Sequence, residues 1–423
     1  MMHSITKWHE NYGPIISVHF GPQMVIILGS HDCVHDLLGK RGALYSSCPE
    51  YYFEGVGGNF HTAALPYGRQ WRRHRRIYRS LQDIESKQLL NGLLSTDDFL
   101  QNYEVREIDR IMKNILEQVK LPAVAFPIFK CVPIILAPWK KRAKRLFKEQ
   151  QTFFSANLKR ALVRTHWSWS QNVINTKPAR DCGLNELASV IGVNYEAGSD
   201  TTAFVLEDFV LAGLLHKDAV SDAQAEVDAL TGLRMPEWKD LPSLPYVHAF
   251  ASEVLRWRPV VPGGLHHAVT ETDCYMGHKI PKGTMIILNH WSLEFDPTFF
   301  PDSENFDPER WIQGSYIPSS AFGFGRRTCP GKQMAQNSLA VTITRMLWTF
   351  NFYPVHNMGD IYCWNMTQGI SSRPSPFRVS LRPRSEEHRE VIWHQWKTSG
   401  SWSNQDRQPE SPARPLFRPE NKA

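Results

Sequence analysis

The stretch that decides the fold is Phe322-Gly-Phe-Gly-Arg-Arg-Thr-Cys-Pro-Gly331, in which two glycines and a Pro-Gly pair bracket one cysteine just before an expected helix. Glycine lets a backbone approach a flat ligand closely. Backbone N–H groups near a helix N-terminus can donate to the sulfur of Cys329 and favour its thiolate form. Arg327 places a positive charge beside any nearby anion. The alternative is a buried free cysteine in a turn, which is the usual state of a lone cysteine.

A thiolate presented by such a loop can be the axial ligand of a haem iron. The stretch resembles the haem-binding loop of the cytochrome P450 family, F-x-x-G-x-R-x-C-x-G, at all five fixed positions. Those positions are Phe322, Gly325, Arg327, Cys329 and Gly331. The resemblance implies that Cys329 ligates the iron and that the other four residues belong to the haem-binding loop.

Composition is that of a globular protein with reduced cysteines. Of 423 residues, 42% are hydrophobic and 21% charged, which excludes an intrinsically disordered chain. The 7 cysteines form no C-x-x-C pair, which argues against a disulfide framework and a cysteine-only zinc site. The net charge of +6 is too small to indicate a nucleic-acid partner.

Hydrophobic periodicity predicts a mainly α fold with a minor β-sheet. A hairpin is expected at 15–28, around Gly21-Pro22, and strands at 275–280 and 283–289. Apolar spacing predicts helices at 69–94, 104–120, 140–163, 184–216, 244–256 and 333–350. The helix at 184–216 is mostly apolar and long enough to cross a whole domain. In a P450 fold, the haem would lie between this helix and the cysteine loop.

Glu253-Val-Leu-Arg256 resembles the E-x-x-R element of the same family, and Arg310 lies in Pro308-Glu-Arg-Trp311, which resembles its P-E-R-F element. The resemblance implies a buried ion network of Glu253, Arg256 and Arg310 behind the thiolate loop. Buried charges are tolerated when they are mutually paired. The alternative is an exposed i, i+3 pair on a helix surface.

Ala197-Gly-Ser-Asp-Thr-Thr202 interrupts the long apolar helix with polar residues. Such a stretch lowers helix stability and therefore requires a reason. The resemblance implies that this stretch forms a groove for oxygen, in which Asp200 and Thr201 relay protons. A helix kink stabilised by hydroxyls that bond back to the helix is the alternative.

Two further positions resemble the family's contacts to the haem propionates. Trp71 and Arg75 match its W-x-x-x-R helix and share one helix face at i, i+4. A bidentate Arg suits a carboxylate. His267 resembles a position whose basic side chain also reaches a propionate, the alternative being a surface histidine on a strand. His31, Cys33 and His35 are interpreted as ordinary surface residues rather than a metal site.

The resemblance extends from Tyr12 to about Arg384, and the 37–46 segment looks like the fungal microsomal branch, which includes the O-methylsterigmatocystin oxidoreductase group. We expect this chain to lack two features of the family: the N-terminal membrane anchor and a helix pair expected between Tyr103 and Glu104. We expect a haem-thiolate domain at 1–398. The polar, proline-rich tail at 399–423 is expected to be disordered, or else to carry a partner-binding motif.

The resemblance implies a monooxygenase that uses haem b, O2 and electrons from NADPH through a reductase to hydroxylate a hydrophobic small molecule, as in fungal secondary metabolism. Pocket segments are expected at 51–66, 122–139, 190–201, 260–267 and 366–372. One rival is a haem-thiolate dehydratase or isomerase that does not use O2. Another is a weakly active or inactive haem-binding remnant.

The distribution of charge suggests two surfaces. Arg72, Arg76 and Arg79 fall on the side of their helix away from Trp71 and Arg75, and are expected to dock an acidic reductase, with a partnerless solvated face as the alternative. The apolar, then basic, segment 122–145 is expected to touch a membrane, with a buried loop as the alternative. No run of about 18 apolar residues spans a bilayer. A cytosol-facing location at the surface of the endoplasmic reticulum is therefore expected.

Overall fold

The computed structural model describes residues 2–49, 60–85, 132–163, 168–313, 317–355, 364–367 and 369–399. Helices are α1 (Met2–Tyr12), α2 (His31–Val34), α3 (Arg69–Glu85), α4 (Pro138–Val163), α5 (Trp169–Ile174), α6 (Lys177–Arg180), α7 (Leu184–Leu215), α8 (Lys217–Thr231), α9 (Pro245–Trp257), α10 (His290–Glu294), α11 (Arg310–Gln313), α12 (Lys332–Thr349) and α13 (Glu386–Ser399). A π-helix at His35–Lys40 continues α2. Strands are β1 (Ile15–Phe20), β2 (Gln23–Leu28), β3 (His267–Ala268), β4 (Asp273–Tyr275), β5 (His278–Ile280), β6 (Met285–Leu288), β7 (Phe350–Pro354) and β8 (Val379–Pro383).

The predicted mainly α architecture with minor sheets is confirmed. One sheet has the order β1-β2-β6-β3, in which β1 and β3 are antiparallel to their neighbours and β2 is parallel to β6. The predicted hairpin around Gly21 is present as β1 and β2. The pairs β4–β5 and β7–β8 form two small antiparallel sheets.

Most of the predicted elements lie where the periodicity placed them, with two exceptions. The single strand expected at 275–280 is wrong: Met276 and Gly277, both with positive φ, form a turn between β4 and β5. The helix predicted at 69–94 is described only to Glu85. The helix predicted at 104–120 and the break expected after Tyr103 lie outside the described residues, as do most of the tail and Pro122 to Cys131.

The central helix α7 organises the packing. Its 32 residues span about 48 Å at 1.5 Å per residue. Its C-terminal half joins α8, α9 and α12 in the largest apolar cluster, around Phe209, Phe250 and Trp348. Its N-terminal half packs with α3 and α4 around Phe154 and Val190. The polar stretch of α7 therefore lies between two cores along the helix.

None of the helices in the described part of the chain combines the length and the apolar character that a bilayer crossing requires.

Candidate active site

The cysteine loop is held in one conformation by backbone contacts. Cys329 N donates to Phe322 O at 2.8 Å, and Gly325–Arg327 form a short 3-10 turn between them. Gly325 has φ +58°, and a Cβ at this residue would stand 2.0 Å from Leu38 O in the π-helix. Glycine is therefore required at 325 by both backbone conformation and close packing. The loop ends at α12 and leaves Cys329 only partly buried.

Two opposing effects act on the thiol of Cys329. Burial raises its pKa, whereas the N–H of Gly331 and the charges of Arg75 and Lys332 lower it. The donor at the helix entrance and the nearby cations are the features expected of a loop that stabilises a thiolate ligand. A metal ion at the sulfur would add to their effect.

Arg75 and Arg327 converge beside the loop, around one aromatic ring. Their guanidinium carbons lie 5.7 and 4.7 Å from the ring centre of Trp71. Arg75 Nη1 donates to Thr328 O at 2.7 Å. Burial lowers the pKa of Arg327, and the charge of Arg75 acts in the same direction. The two cations therefore repel each other in a partly desolvated position.

The partners of Arg327 are neutral. Its guanidinium donates to the carbonyl oxygens of Ser46, Thr62 and Leu65. No carboxylate of the described residues lies within 4.0 Å of it. A buried cation held this way is suited to an anionic group of a ligand.

His267 is buried in β3 and is close to Arg327, so the alternative of a surface histidine is wrong. Its Nδ1 lies 2.8 Å from the carbonyl oxygen of Tyr45. Burial lowers the pKa of His267 to about 4, and the charge of Arg327 contributes to this shift. The ring is therefore neutral at pH 7, its Nδ1 donates to the carbonyl oxygen of Tyr45, and its Nε2 is left as an acceptor.

The polar stretch of α7 is helical throughout, and its hydroxyls bond back to the helix. Thr201 Oγ1 donates to Ala197 O at 2.8 Å, and Ser199 Oγ donates to Tyr195 O at 2.7 Å. The back-bonding that the sequence left as an alternative is thus present. Ala197 is exposed, and a Cβ added at Gly198 would meet no atom within 4 Å. This side of α7 therefore has room for a ligand.

The structure brings Glu253, Arg256 and Arg310 together in the core. Arg256 donates to both carboxylate oxygens of Glu253 at 2.8 and 2.7 Å, and Arg310 Nε lies 3.3 Å from Oε1. Glu253 is 0% exposed and Arg256 is 1% exposed, which excludes a surface pair. Arg256 also donates to the carbonyl oxygens of Glu294, Ser303 and Asn305. The network fixes the segment that leads towards the cysteine loop.

Sequence reasoning missed two features of this region. In the comparison with the P-E-R-F element, Trp311 only replaces a phenylalanine. In the structure, its Nε1 donates to Glu253 Oε2 at 2.8 Å. Glu196 was passed over, although it is 2% exposed and lies one turn before Asp200. An acidic residue inside an apolar helix was the available signal.

The interpretation of His31, Cys33 and His35 is partly corrected. His31 and Cys33 are buried, not surface residues, and His31 Nε2 bonds to Leu293 O. Within the described ranges, no group of three or more His, Cys, Asp or Glu residues could hold a metal ion.

Comparison with known proteins identifies the family. The cytochrome P450 family model matches residues 1–91 and 86–381. The chain is 39% identical to cytochrome P450 monooxygenase FrzL of Cladobotryum sp over 91% of this chain and 84% of the relative. It is 37% identical to cytochrome P450 monooxygenase aneD of Aspergillus aculeatus, with the same coverage. A zebra fish cytochrome P450 structure with abiraterone has a TM-score of 0.72 at 22% identity, over 91% of this chain and 100% of that chain.

A long helix facing a cysteine loop, with small sheets at one side, defines the P450 class of fold, and the structural neighbour confirms it. The chain belongs to the cytochrome P450 family. It is a cytochrome P450 monooxygenase, as its relatives at this identity are.

Membership of the family implies a haem-thiolate cofactor, O2 and electrons from a redox partner. The residues present fit a haem. Cys329 offers one sulfur donor, Arg327 is a desolvated cation suited to a propionate, and the face of α7 at Gly198 has open space.

Proposed function

We propose that this protein inserts one oxygen atom of O2 into a hydrophobic small molecule, in the secondary metabolism of a fungus. The overall change is RH + O2 + two electrons + two protons giving ROH + H2O. The observation that carries the proposal is the joint occurrence of the Cys329 loop, its paired arginines and the polar interruption of α7. The two fungal relatives described above, both named monooxygenases, support it.

Each residue has a defined role in this proposal. Cys329 would hold the haem iron through its sulfur, and the N–H of Gly331 would stabilise the negative charge of the thiolate. Arg75 and Arg327 would bind the haem propionates, and His267, whose Nδ1 proton is already donated to Tyr45 O, would donate to a propionate only when its ring is protonated. Haem b, when bound, supplies the activation of O2. Asp200 and Thr201 would hold and transfer protons, and the hydroxyl of Thr201 must leave Ala197 O in order to donate elsewhere.

The rivals are less well supported. Dehydratases and isomerases need no proton relay to oxygen, so the Asp200–Thr201 pair favours a monooxygenase. A non-catalytic remnant need not retain the loop geometry and the buried ion network, both of which are present here.

The substrate is proposed to be hydrophobic because the pocket segments named above are rich in apolar and aromatic residues. No nucleic acid is proposed as a partner. The segments 190–201 and 260–267 belong to α7 and to the stretch that ends in β3, whereas most of 51–66 and 122–139 lies outside the described residues.

We propose a reductase as the electron donor, docked on α3. Arg72 and Arg76 are exposed on this helix while Trp71 is buried, as the helical wheel predicts. The side chain of Arg79 lies outside the described residues. Exposed arginines on the same helix as Arg75 form a surface that attracts an acidic partner.

We also propose a peripheral contact with the endoplasmic reticulum membrane. Ile135 and Leu136 are 78% and 70% exposed, which contradicts a buried loop for this part of 122–145. The exposed Lys141, Arg142 and Lys144 follow directly on α4. An apolar edge beside a basic cluster is typical of interfacial binding to anionic lipid. Flotation of the full chain with anionic liposomes tests this, and an absence of binding contradicts it.

The central experiment compares the reduced carbon monoxide spectrum of the wild-type holoenzyme with that of Cys329→Ala. We expect the thiolate-type band and NADPH-dependent oxygenation to be lost in the variant. Cys274→Ala, which removes an exposed free cysteine, is the control and should leave both intact. A thiolate-type band in Cys329→Ala would remove Cys329 as the ligand.

A further inference from the structure

Four arginines of α3 line a cleft on the surface of the protein. The cleft has a volume of about 560 Å³ and is lined by Arg69, Arg72, Arg73, Arg76, Pro178 and Asp181. At 100° per residue, the middle of the arginine face lies about 150° from Trp71 and about 110° from Arg75 around the helix. The cleft is therefore on a different side of α3 from the residues proposed to hold the haem propionates.

The four arginines repel one another along the helix. Residues 69 and 73, and 72 and 76, are i, i+4 pairs, and residues 69 and 72, and 73 and 76, are i, i+3 pairs. Like charges at these spacings destabilise a helix. An anion between the side chains would relieve this repulsion.

The chain supplies little negative charge to the cleft. Arg73 Nη2 lies 2.5 Å from Glu186 Oε1, and the same oxygen also accepts from Gln70 and lies 2.8 Å from His74 Nε2. Within the described ranges, no carboxylate lies within 4.0 Å of the side-chain nitrogens of Arg69, Arg72 or Arg76. Glu186 and Asp181 together leave the four arginines with a net charge of about +2.

Arg73 gives a second indication of a ligand. Its side chain is 26% exposed, and its Nε is shielded from solvent without a hydrogen-bond partner in the described part of the chain. Shielded donors are almost always paired in folded proteins. The unpaired Nε therefore indicates an acceptor that the polypeptide does not supply.

The chemistry of the lining selects the kind of anion. Guanidinium groups bind phosphate through pairs of parallel hydrogen bonds, and a net charge of about +2 matches a phosphate dianion. A cleft of this volume is large enough for a small organic molecule. Of the six lining residues only Pro178 is apolar, so the cleft offers no surface to an acyl chain.

A solvated row of arginines that binds no small ligand is the alternative. Such a row does not require a concave surface, a carboxylate on the facing side or a donor shielded from water. All three are present here, in Asp181 and in Arg73.

We propose that the cleft between α3 and α6 binds the phosphate group of a soluble organic phosphate monoester in its dianionic form. Arg69 and Arg76, which are exposed, and Arg73, which is partly shielded, donate to the phosphate oxygens. Asp181 opposes the anion and limits its affinity.

The site has a consequence for electron delivery, which rests on the proposed docking of the reductase on α3. Arg72 and Arg76 belong both to the cleft and to that docking surface. A phosphate bound between them neutralises charge that would attract an acidic partner. The bound ligand should therefore slow reduction of the haem by the reductase.

The test is a calorimetric titration of the full-length, haem-loaded protein with inorganic phosphate and with adenosine monophosphate. It is made at low salt and at pH 8, where a phosphate monoester, with a second pKa of about 6, is a dianion. We expect both ligands to bind at one site per chain, and adenosine, which lacks the phosphate, not to bind. If neither phosphate nor adenosine monophosphate binds, the proposal fails.

Variants locate the site. Arg69→Gln should weaken binding of adenosine monophosphate about tenfold or more, as expected for a lost charge-assisted hydrogen bond. Asp181→Asn should tighten it, because the opposing charge is removed. Arg180→Gln removes an exposed arginine of α6 that does not line the cleft, and it should leave the affinity within about twofold of wild type.

Equal affinities of wild type and Arg69→Gln, or an equal loss in Arg180→Gln, would overturn the site. If Arg69→Gln does not fold, Arg76→Gln is read by the same titration.

Two further measurements separate the possible outcomes. Flotation with phosphatidylcholine vesicles, with and without phosphatidic acid, tests a lipid as the source of the phosphate. Flotation that depends on Arg69, together with no binding of adenosine monophosphate, would overturn the soluble ligand. Stopped-flow reduction with reductase tests the consequence: if adenosine monophosphate binds but does not slow reduction, the site stands and docking of the reductase on α3 is contradicted.

Discussion

The indole Nε1 of Trp311 donates to Glu253 Oε2 at 2.8 Å, and this contact completes the shell of donors around a carboxylate that is 0% exposed. Asp307 N donates to Oε1 at 3.0 Å, and Arg256 and Arg310 approach from the other sides. A phenylalanine at 311 would fill similar space without this donor. The tryptophan therefore belongs to the ion network by hydrogen bonding as well as by packing.

Trp311→Phe should lower the free energy of unfolding by about 1.5–3 kcal/mol, because it removes a hydrogen bond to a charged group. Arg256→Met should cost more, about 3–5 kcal/mol, since it leaves the carboxylate of Glu253 buried without its main partner. Urea unfolding followed by fluorescence and haem absorbance measures both. Ile312→Val, at an exposed neighbour, is the control for Trp311→Phe. A Trp311→Phe protein as stable as wild type would show that the indole hydrogen bond contributes nothing.

Thr201→Ala should retain haem but divert electrons to hydrogen peroxide. The helix should be preserved, because the Thr201 hydroxyl only bonds back to Ala197 O. The measurement is peroxide formed per NADPH consumed in the presence of reductase. Thr201→Ser keeps the hydroxyl and should stay close to wild type. An unchanged peroxide ratio in Thr201→Ala would mean that Thr201 relays no proton.

Arg72→Glu combined with Arg76→Glu should slow electron transfer from the reductase while haem content stays unchanged. Charge reversal on an exposed face weakens the attraction to an acidic partner, and added salt should reduce the difference, because the wild-type rate loses its steering. Stopped-flow reduction of the haem at low and high salt measures this effect.

Lys279→Glu with Lys282→Glu makes the same charge change at exposed positions on and after β5, away from α3, and serves as the control. If the reductase docks on α3, the haem of the Arg72→Glu/Arg76→Glu variant is reduced more slowly than that of the Lys279→Glu/Lys282→Glu variant. Equal rates for both double variants at low salt would contradict it, and loss of haem from the α3 variant would mean that these arginines face inward.

Glu196→Gln should change how stability depends on pH. A carboxyl group with a folded-state pKa of about 8, against an ordinary value near 4.5, binds more protons folded than unfolded between these two values. It therefore lowers stability progressively as the pH rises from about 4.5 to 8, and glutamine removes this contribution. The groups around Glu196 are unchanged in the variant. They are Gln150 on α4, His61 in the loop before α3, Tyr78 on α3 and Asp200 on α7.

We expect the difference in Tm, variant minus wild type, to become more positive between pH 5 and 8. Glu149→Gln, one residue before Gln150 on the less buried side of α4, is the control and should show no such trend. A constant difference across this range would mean that Glu196 is ionised throughout.

Local patterns were sufficient to predict the helices and the motif residues. Apolar spacing gave α7 and α9 to within a residue or two, and the ten residues at 322–331 defined the cysteine loop. The turn at Met276-Gly277 had a local signal in its glycine, which the alternation of the neighbouring residues obscured.

Apart from those that the family resemblance implied, contacts between distant segments could not be predicted. Arg327 donates hydrogen bonds to the carbonyl oxygens of Ser46, Thr62 and Leu65. The hydrophobic periodicity of the sequence gives no indication that these residues lie near position 327. The pairing of His74 with Glu186 likewise depends on how α3 is placed against α7. Such contacts are products of tertiary packing and leave no mark on local spacing.

The contact of Gly325 with Leu38 O has a consequence for the order of assembly. The loop around Cys329 is shaped by residues nearly 290 positions earlier in the chain, and Arg75 joins Thr328 over a separation of 253. Contacts of such long range form late, because the chain loses loop entropy before they can stabilise it. The ligand loop is therefore completed only when the first and last thirds of the chain meet. Binding of the cofactor therefore requires a chain that has finished folding. A chain that ends before position 325 lacks the ligand loop and cannot bind the cofactor.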